Sequence, residues 1–450
     1  LNGIAKTFFD ACLNVVSMRV QDHLAKLSWT AADKLLYIGY GFVNLLQINA
    51  IQPAEYACYA LLNGLYLVIA MTADSSVLQG IILFGADKAQ RGAIHRLALL
   101  WQCVIMMGAS SLLYALREPC ALMLNEPRFT DIAGYLPLLC AIAVPRMFGL
   151  KFLFRDVQSA TIFWIDAIWF GSMTFMTVGM ITLNQLRSFH DVALIAVVGM
   201  TLSSLVTVWS VRREFIFHIE KPLERGAMLR FSLYQGATSL SANLIRQLDI
   251  VLVQYFFGAA TVGVYQAAKT LFRAFEEGFA SLIGLLYPGA VRLVSAGRTE
   301  DLQAFISKML SFTLLAMLCA LAVIYAGGAE FLITMFLASK YHEAIGFFSL
   351  LTLAALLMPF SMLFAVLIAF GESRRLLLYT ACSGFAGLVA LVGIGIQKYS
   401  ALVPLGFCVY HAVLGALCFA FVRHRVGFPI VLLWRALPDG WNFLKERLRS

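Results

Sequence analysis

Charge is scarce in this sequence. Asp, Glu, Lys and Arg together make up 13% of its 450 residues, against about 25% in soluble domains, which excludes a water-soluble globular chain. No CxxC pair links the nine cysteines, at 12, 58, 103, 120, 140, 319, 382, 408 and 418. Most fall in apolar stretches where Cys behaves as a small hydrophobe, so neither disulfides nor a structural metal is expected. The seven histidines are scattered, with no HExxH pattern and no Cys/His cluster, leaving metal catalysis or a resident cofactor without a sequence basis. Long polar loops are also missing. The longest, REPCALMLNEPRFTD, GGAEFLITMFLASKYHE and RREFIFHIEKPLERGAM, leave no room for a soluble catalytic domain. The first residues lack the basic start, compact apolar run and cleavage site of a signal peptide.

What is present is apolar residue in long runs, 61% of the chain. A hydrocarbon core of roughly 30 Å needs about 20 apolar helical residues per crossing. Twelve stretches qualify, with cores at 33–50, 55–84, 97–116, 132–153, 157–183, 191–211, 230–257, 261–290, 305–326, 344–371, 376–396 and 401–422. The runs are continuous rather than alternating, which favours helices over barrel strands. The expected fold is an all-α polytopic membrane protein of twelve transmembrane helices. Residues 1–32 form an N-terminal segment in which Ile4, Phe8, Cys12, Val15 and Val16 have the spacing of an interfacial helix. A first six-helix half spans 33–211, a linker 212–229, a second six-helix half 230–422 and a basic tail 423–450.

Lys and Arg set the orientation. With the N-terminus inside, 24 fall in cytoplasmic segments, and five, Arg117, Arg128, Arg187, Lys340 and Lys398, lie outside. Both termini are therefore expected in the cytoplasm. The net charge of +9 is a topology signal; nucleic-acid binding would need a basic face on a soluble domain.

The halves carry a trace of duplication. AEYACYALLNGL, from Ala54, aligns with ATVGVYQAAKTL, from Ala260, superposing Tyr59 on Tyr265 and Leu65 on Leu271 and setting Ala57 opposite Gly263. Each copy starts the second span of its half. Parallel repeats of this kind occur in transporters, where substrate binds near the midplane between halves that rock against each other.

The eighth span holds the densest intramembrane charge. In QAAKTLFRAFEEGF, residues 266–279, Gln266, Lys269, Arg273, Glu276 and Glu277 fall within an arc of about 100°, opposite Leu271, Phe272, Phe275 and Phe279. Each ionised residue facing lipid at the centre of a helix costs about 2.5–3.5 kcal/mol, so this stripe must face protein or water. The preceding span repeats the pattern with Gln235, Ser239, Asn243, Arg246 and Gln254, and Asp249 at its margin. Arg246, Lys269 and Arg273, with Asn243 and Gln266, are the candidate anion and sugar site. Asp249, Glu276 and Glu277 are candidates for coupling to protons or sodium. An alternative pairs Arg246 with Asp249, and Arg273 with Glu276 or Glu277, as structural ion pairs. Arg146 and Asp166 are two further intramembrane charges whose role is open.

LDIVLVQYFFGAATVGVYQAAKTLF resembles the seventh and eighth spans of polysaccharide-transporter flippases of the multidrug/oligosaccharidyl-lipid/polysaccharide exporter (MOP) superfamily. The resemblance rests on Asp249, Gly258, Val262, Gly263, Tyr265 and Ala268, with PAEYACY as a related first-half pattern in which Ala57 stands where Gly is usual. It implies alternating-access transfer of a polyprenyl-diphosphate-linked oligosaccharide from the cytoplasmic to the outer leaflet, for cell-surface polysaccharide export, beside a polymerase machinery and in contact with membrane lipid. It implies no enzymatic activity. Two alternatives stand beside it: a multidrug and toxin extrusion-type cation antiporter, and a membrane-embedded sugar-polymer synthase or ligase.

Overall fold

The structure is a computed structural model that describes residues 32–84, 90–215 and 247–427, with 28, 29, 232, 233, 236, 237 and 240. The expected interfacial segment, most of the linker, the first part of the seventh span and most of the basic tail lie outside the described residues.

The described residues are helical and contain no strand. The helices are α1 (residues 32–50), α2 (Pro53–Ala73, continued by a π turn Asp74–Leu78 and by Gln79–Phe84), α3 (Arg91–Ala115), the short α4 (Arg117–Leu124), α5 (Phe129–Arg155), α6 (Ser159–Thr182) and α7 (Phe189–Val211). They continue with α8 (Gln247–Phe257), α9 (Ala259–Ser295), α10 (Thr299–Val323, joined by a π turn to Ala329–Phe336), α11 (Ala344–Ser361), α12 (Phe364–Ala369), α13 (Ser373–Ile396) and α14 (Leu405–Val426). Each expected span contains a described helix, the seventh only through α8. Nine of the described helices are long and apolar enough to cross a membrane. The chain is thus a multi-pass membrane protein.

Helix ends follow local chemistry. Ser188 and Asp191 form a capping box at the start of α7, each side chain taking up a backbone N–H that the first turn leaves without a partner. Gly258 joins α8 to α9 at φ 84°, a conformation that a side chain disfavours. Pro145 sits inside α5 and cannot donate to the helix ladder. Side chains serve the neighbouring carbonyls: Ser204 donates to Ile142 O at 2.6 Å, and Gln102 to Val144 O at 3.2 Å.

Two compact units emerge. Among the described residues, one comprises those within 1–51, 65–118 and 129–239, and the other those within 52–64, 119–128 and 240–450. The boundaries differ from those expected for the two halves: the start of α2 and the segment 119–128 pack in the second unit, and the described residues between 230 and 239 fall in the first. In the first unit α5 packs against α3 and α7, and Phe148, Phe152, Ile81, Ile94 and Ile165 form a core. A second cluster gathers Met106, Cys140, Ala143 and Met200. In the second unit α14 packs on α11 and α13, and α9 on α11 and α12.

The start of α2 joins the second unit for a steric reason. A Cβ on Gly263 would lie 1.9 Å from the Pro53 carbonyl oxygen, so only glycine lets α9 approach α2 this closely. Arg128 adds polar ties, donating to Glu55 at 2.7 Å and to Glu126 at 2.7 Å, while Gln254 of α8 donates to Glu126 at 3.4 Å.

Candidate functional site

In the second unit α8 presents Asp249, and α9 presents Tyr265 and Lys269, four residues apart and therefore on one face. Lys269 Nζ donates to Asp249 Oδ2 at 2.8 Å, and the Tyr265 hydroxyl donates to the same oxygen at 2.8 Å. The Ile250 amide donates to Asp249 Oδ1 at 2.7 Å. Both pair members are largely buried, with side chains 17% and 14% exposed. Lys269 is thereby neutralised by Asp249 across the helix pair. A cavity of about 20 Å³ adjoins Asp249, lined by Leu391, Phe407 and Tyr410; that is room for about one water and far too little for a saccharide.

One turn further along α9 the chemistry changes. The described ion pairs of this unit are Arg128–Glu55, Arg128–Glu126, Lys269–Asp249, Arg298–Asp301 and Arg375–Glu372. Arg273 is in none of them. Neither Glu276 nor Glu277 reaches it, so the intrahelical pairing open at the sequence level is not formed among the described residues. Arg273 instead acts electrostatically on the phenols of Tyr56 and Tyr59 from α2. Between them Thr270 Oγ1 donates to Gln266 O at 2.9 Å and lies 3.3 Å from the Tyr56 hydroxyl. Gln266 Oε1 is buried with no hydrogen-bond partner among the described residues.

Depth separates the charges. α9 has 37 residues, and at 1.5 Å per residue it runs about 55 Å, well beyond a hydrocarbon core of roughly 30 Å. Measured from its Gly258 end, Lys269 lies about 15 Å along the axis, Arg273 about 21 Å, and Glu276 and Glu277 about 26–27 Å. The apolar face is covered by protein: Phe272 and Phe279 are buried, and Phe272 packs on Phe275 and Phe407.

The first unit holds its own buried charge cluster. Arg146 of α5 donates through Nε to Ser203 of α7 at 2.8 Å, pairs through Nη2 with Asp166 of α6, and stacks 4.1 Å from the Trp169 ring centroid. Ser203 in turn donates to Ile165 O at 3.3 Å. Asp33 of α1 lies beside Asp166, and its Oδ1 is buried without a hydrogen-bond partner among the described residues. In the same unit, Asp74 in its π turn pairs with Lys151 at 2.8 Å, and Lys151 is buried.

The structure thus brings Gln266, Lys269 and Arg273 onto one helix, with Asp249 facing Lys269, and brings Arg146 to Asp166. Asn243 and Arg246 lie outside the described residues. Tyr56, Tyr59 and Thr270 beside Arg273, and Asp33, Ser203 and Trp169 around Arg146, escaped the sequence reading. Tyr59 was visible there only as a repeat landmark, and Asp33 only as a span boundary.

This arrangement of helices is similar to that of solved MOP superfamily transporters. An inward-facing multidrug resistance MATE family transporter of that superfamily superposes with a TM-score of 0.72 at 15% identity, over 86% of this chain and 94% of the other. The lipid II flippase MurJ, inward closed, gives 0.70 at 13% identity over 91% and 90%. A MOP superfamily transporter from Pyrococcus furiosus Vc1, described by the reverse polarity of its binding pocket, gives 0.57 at 16% identity over 89% and 92%. Residues 50–346 match the polysaccharide biosynthesis protein family, and the chain belongs to that family. No curated protein matches the sequence.

Proposed function

We propose that this protein is a flippase that carries a polyprenyl-diphosphate-linked oligosaccharide from the cytoplasmic to the outer leaflet of the cytoplasmic membrane by alternating access, supplying cell-surface polysaccharide assembly. The observation that carries the reading is Arg273. It is a guanidinium in the expected eighth span, in no ion pair among the described residues, on a helix of a polysaccharide biosynthesis family member. A planar fork of N–H donors suits diphosphate oxygens. On the Lys/Arg topology Arg273 lies in the cytoplasmic half of the membrane, where a substrate made inside would first meet it. Lys269 and Arg246 complete the proposed diphosphate set, and Gln266 and Asn243 are assigned to the sugar.

Asp249 gives coupling a physical route. A proton on its carboxyl releases the Lys269 ammonium for phosphate, with Glu276 and Glu277 as further acids near the cytoplasmic end. The cation-antiporter reading is weaker here, because Asp249 is already occupied by Lys269. The synthase reading has no long loop to support it.

The test is transfer of undecaprenyl diphosphate carrying one N-acetylglucosamine between leaflets of phosphatidylethanolamine/phosphatidylglycerol liposomes, with and without proton or sodium gradients. Transfer above protein-free liposomes is expected. Folded, inserted protein that transfers none of this probe yet extrudes organic cations would replace the flippase reading with the antiporter.

A further inference from the structure

On that flippase reading Arg273 meets the diphosphate, and the sugar attached to it has only amides so far, with no ring surface to stack on. The stripe Gln266, Thr270, Arg273 has the i, i+4, i+7 spacing of one helix face; Tyr56 of α2 meets it at Thr270, and the Tyr59 ring lies beside that of Tyr56, centroids 6.4 Å apart. The hydrogen-bond ledger of that face is uneven. Thr270 gives its proton to Gln266 O, so its oxygen accepts from Tyr56 and both hydroxyls are satisfied. The Tyr59 hydroxyl makes no hydrogen bond among the described residues, and its ring is only half-buried. Gln266 Oε1 is a buried acceptor without a donor, which is costly unless a ligand or water supplies one.

The repeat sharpens the contrast. Tyr265, the counterpart of Tyr59, is fully buried and bound to Asp249, so its ring and hydroxyl are both used by the fold. Tyr59 kept the aromatic ring without that structural task.

We infer that Tyr59 and Gln266 form the subsite for the first sugar next to the diphosphate, with Tyr59 as its aromatic platform and Gln266 Oε1 accepting from a sugar hydroxyl or acetamido N–H. Gln266 and Arg273 are seven residues apart, about 10 Å along the helix, which matches one pyranose ring attached to a diphosphate held at Arg273. The sugar then lies on the Gly258 side of the phosphate. A pyranose ring offers C–H groups to the Tyr59 face and hydroxyls at its rim, and a buried unpaired acceptor discriminates strongly against a ligand lacking the donor.

The experiment measures binding of two probes to the purified full-length chain in detergent: undecaprenyl diphosphate, and the same lipid carrying one N-acetylglucosamine. The wild type is expected to hold the sugar-bearing probe about tenfold more tightly. Tyr59→Ala and Gln266→Leu each remove most of that preference and leave the bare diphosphate within about twofold; Tyr59→Trp retains the preference; Arg273→Ala weakens both probes. Loss of the bare diphosphate along with the sugar in Tyr59→Ala makes the residue structural and overturns the subsite, as does an unchanged preference in both subsite variants. If those variants do nothing while Arg273→Ala still weakens both probes, the subsite fails and the flippase reading stands. Binding of both probes unaffected by Arg273→Ala removes the diphosphate site and the subsite with it.

Discussion

Lys269 and Asp249 form a buried ion pair at 2.8 Å, between α9 and α8, with Tyr265 donating to the same carboxylate oxygen. Removing one member of such a pair leaves an uncompensated charge in a low-dielectric setting, at a cost of about 3–5 kcal/mol. Lys269→Met and Asp249→Asn singly should therefore reduce the amount of folded protein in membranes sharply. The double variant removes both charges while leaving Tyr265 an acceptor, and should restore abundance to within about twofold. Lipid-linked sugar transfer should nevertheless stay low in the double variant, because the proposed site has lost a cation. Full recovery of transfer would confine Lys269 to a structural role.

Gly263 meets the Pro53 carbonyl where a Cβ would come within 1.9 Å, and the atom it meets is backbone rather than a flexible side-chain tip. Gly263→Ala must push α2 and α9 apart, and overpacking of this kind costs about 1–3 kcal/mol or more. Thermal unfolding in detergent should register a clear loss. Ala57→Gly, at the repeat-related position, leaves a small void instead and should cost about 1 kcal/mol.

The helices were legible because bilayer thickness imposes run length, and every predicted span contains a described helix. Side-chain partners across helices were less so. The meeting of Asp249 with Lys269 fits their similar distances from Gly258, about three helical turns on either side, but no local period pairs them. The pairing of Lys151 with Asp74, 77 residues earlier, is invisible to local spacing. Tyr59 and Thr270 carry no charge, and nothing in a helical period tells which neutral side chain will stand against an arginine on another helix. The same limit hid Asp33 from Arg146 and Asp166. Residues 52–64 and 119–128 belong by packing to the second unit, since Gly263, Arg128 and Glu126 draw them there, and no composition change marks that boundary.

Arg146 combines a carboxylate, a serine and an indole face in one buried position. Lysine cannot reproduce the fork or the stacking. Arg146→Lys should destabilise the first unit measurably and Arg146→Ala by about 3–5 kcal/mol, since Asp166 is then left buried without its cation. Asp166→Asn in the Arg146→Met background should recover much of the loss. Melting curves of the four proteins settle the coupling, and additive effects would rule out a shared network.

The connection between α5 and α6 adds a pH-dependent contribution. The Asp156 carboxyl is held below its ordinary value of 3.8 by hydrogen bonds from Arg155 and by the charges of Arg155 and Arg91. A carboxylate with a depressed folded-state pKa contributes stability above its unfolded pKa and loses it as pH falls through the folded value. Asp156→Asn should therefore melt slightly below the wild type at neutral pH, by a small margin because the carboxylate itself is partly exposed. The two curves should start to converge near pH 3.8 and merge once the pH has fallen through the lower, folded-state value.

Arg273 provides the most direct separation of binding from architecture. Glu276 and Glu277 form no ion pair with it among the described residues, so neutralising either acid should not rescue a loss caused by Arg273→Ala. Arg273→Ala should leave folded protein at near wild-type abundance, because no buried carboxylate is stranded, while reducing diphosphate binding and leaflet transfer by about tenfold or more. Arg273→Lys keeps the charge but not the bidentate fork and should fall between the two. Abundance, binding and transfer measured for Arg273→Ala, Arg273→Lys and the double variants with Glu276→Gln and Glu277→Gln distinguish the cases. Rescue by a glutamate change would reveal a structural pair. Wild-type transfer by stably inserted Arg273→Ala would take the anion site away from this helix.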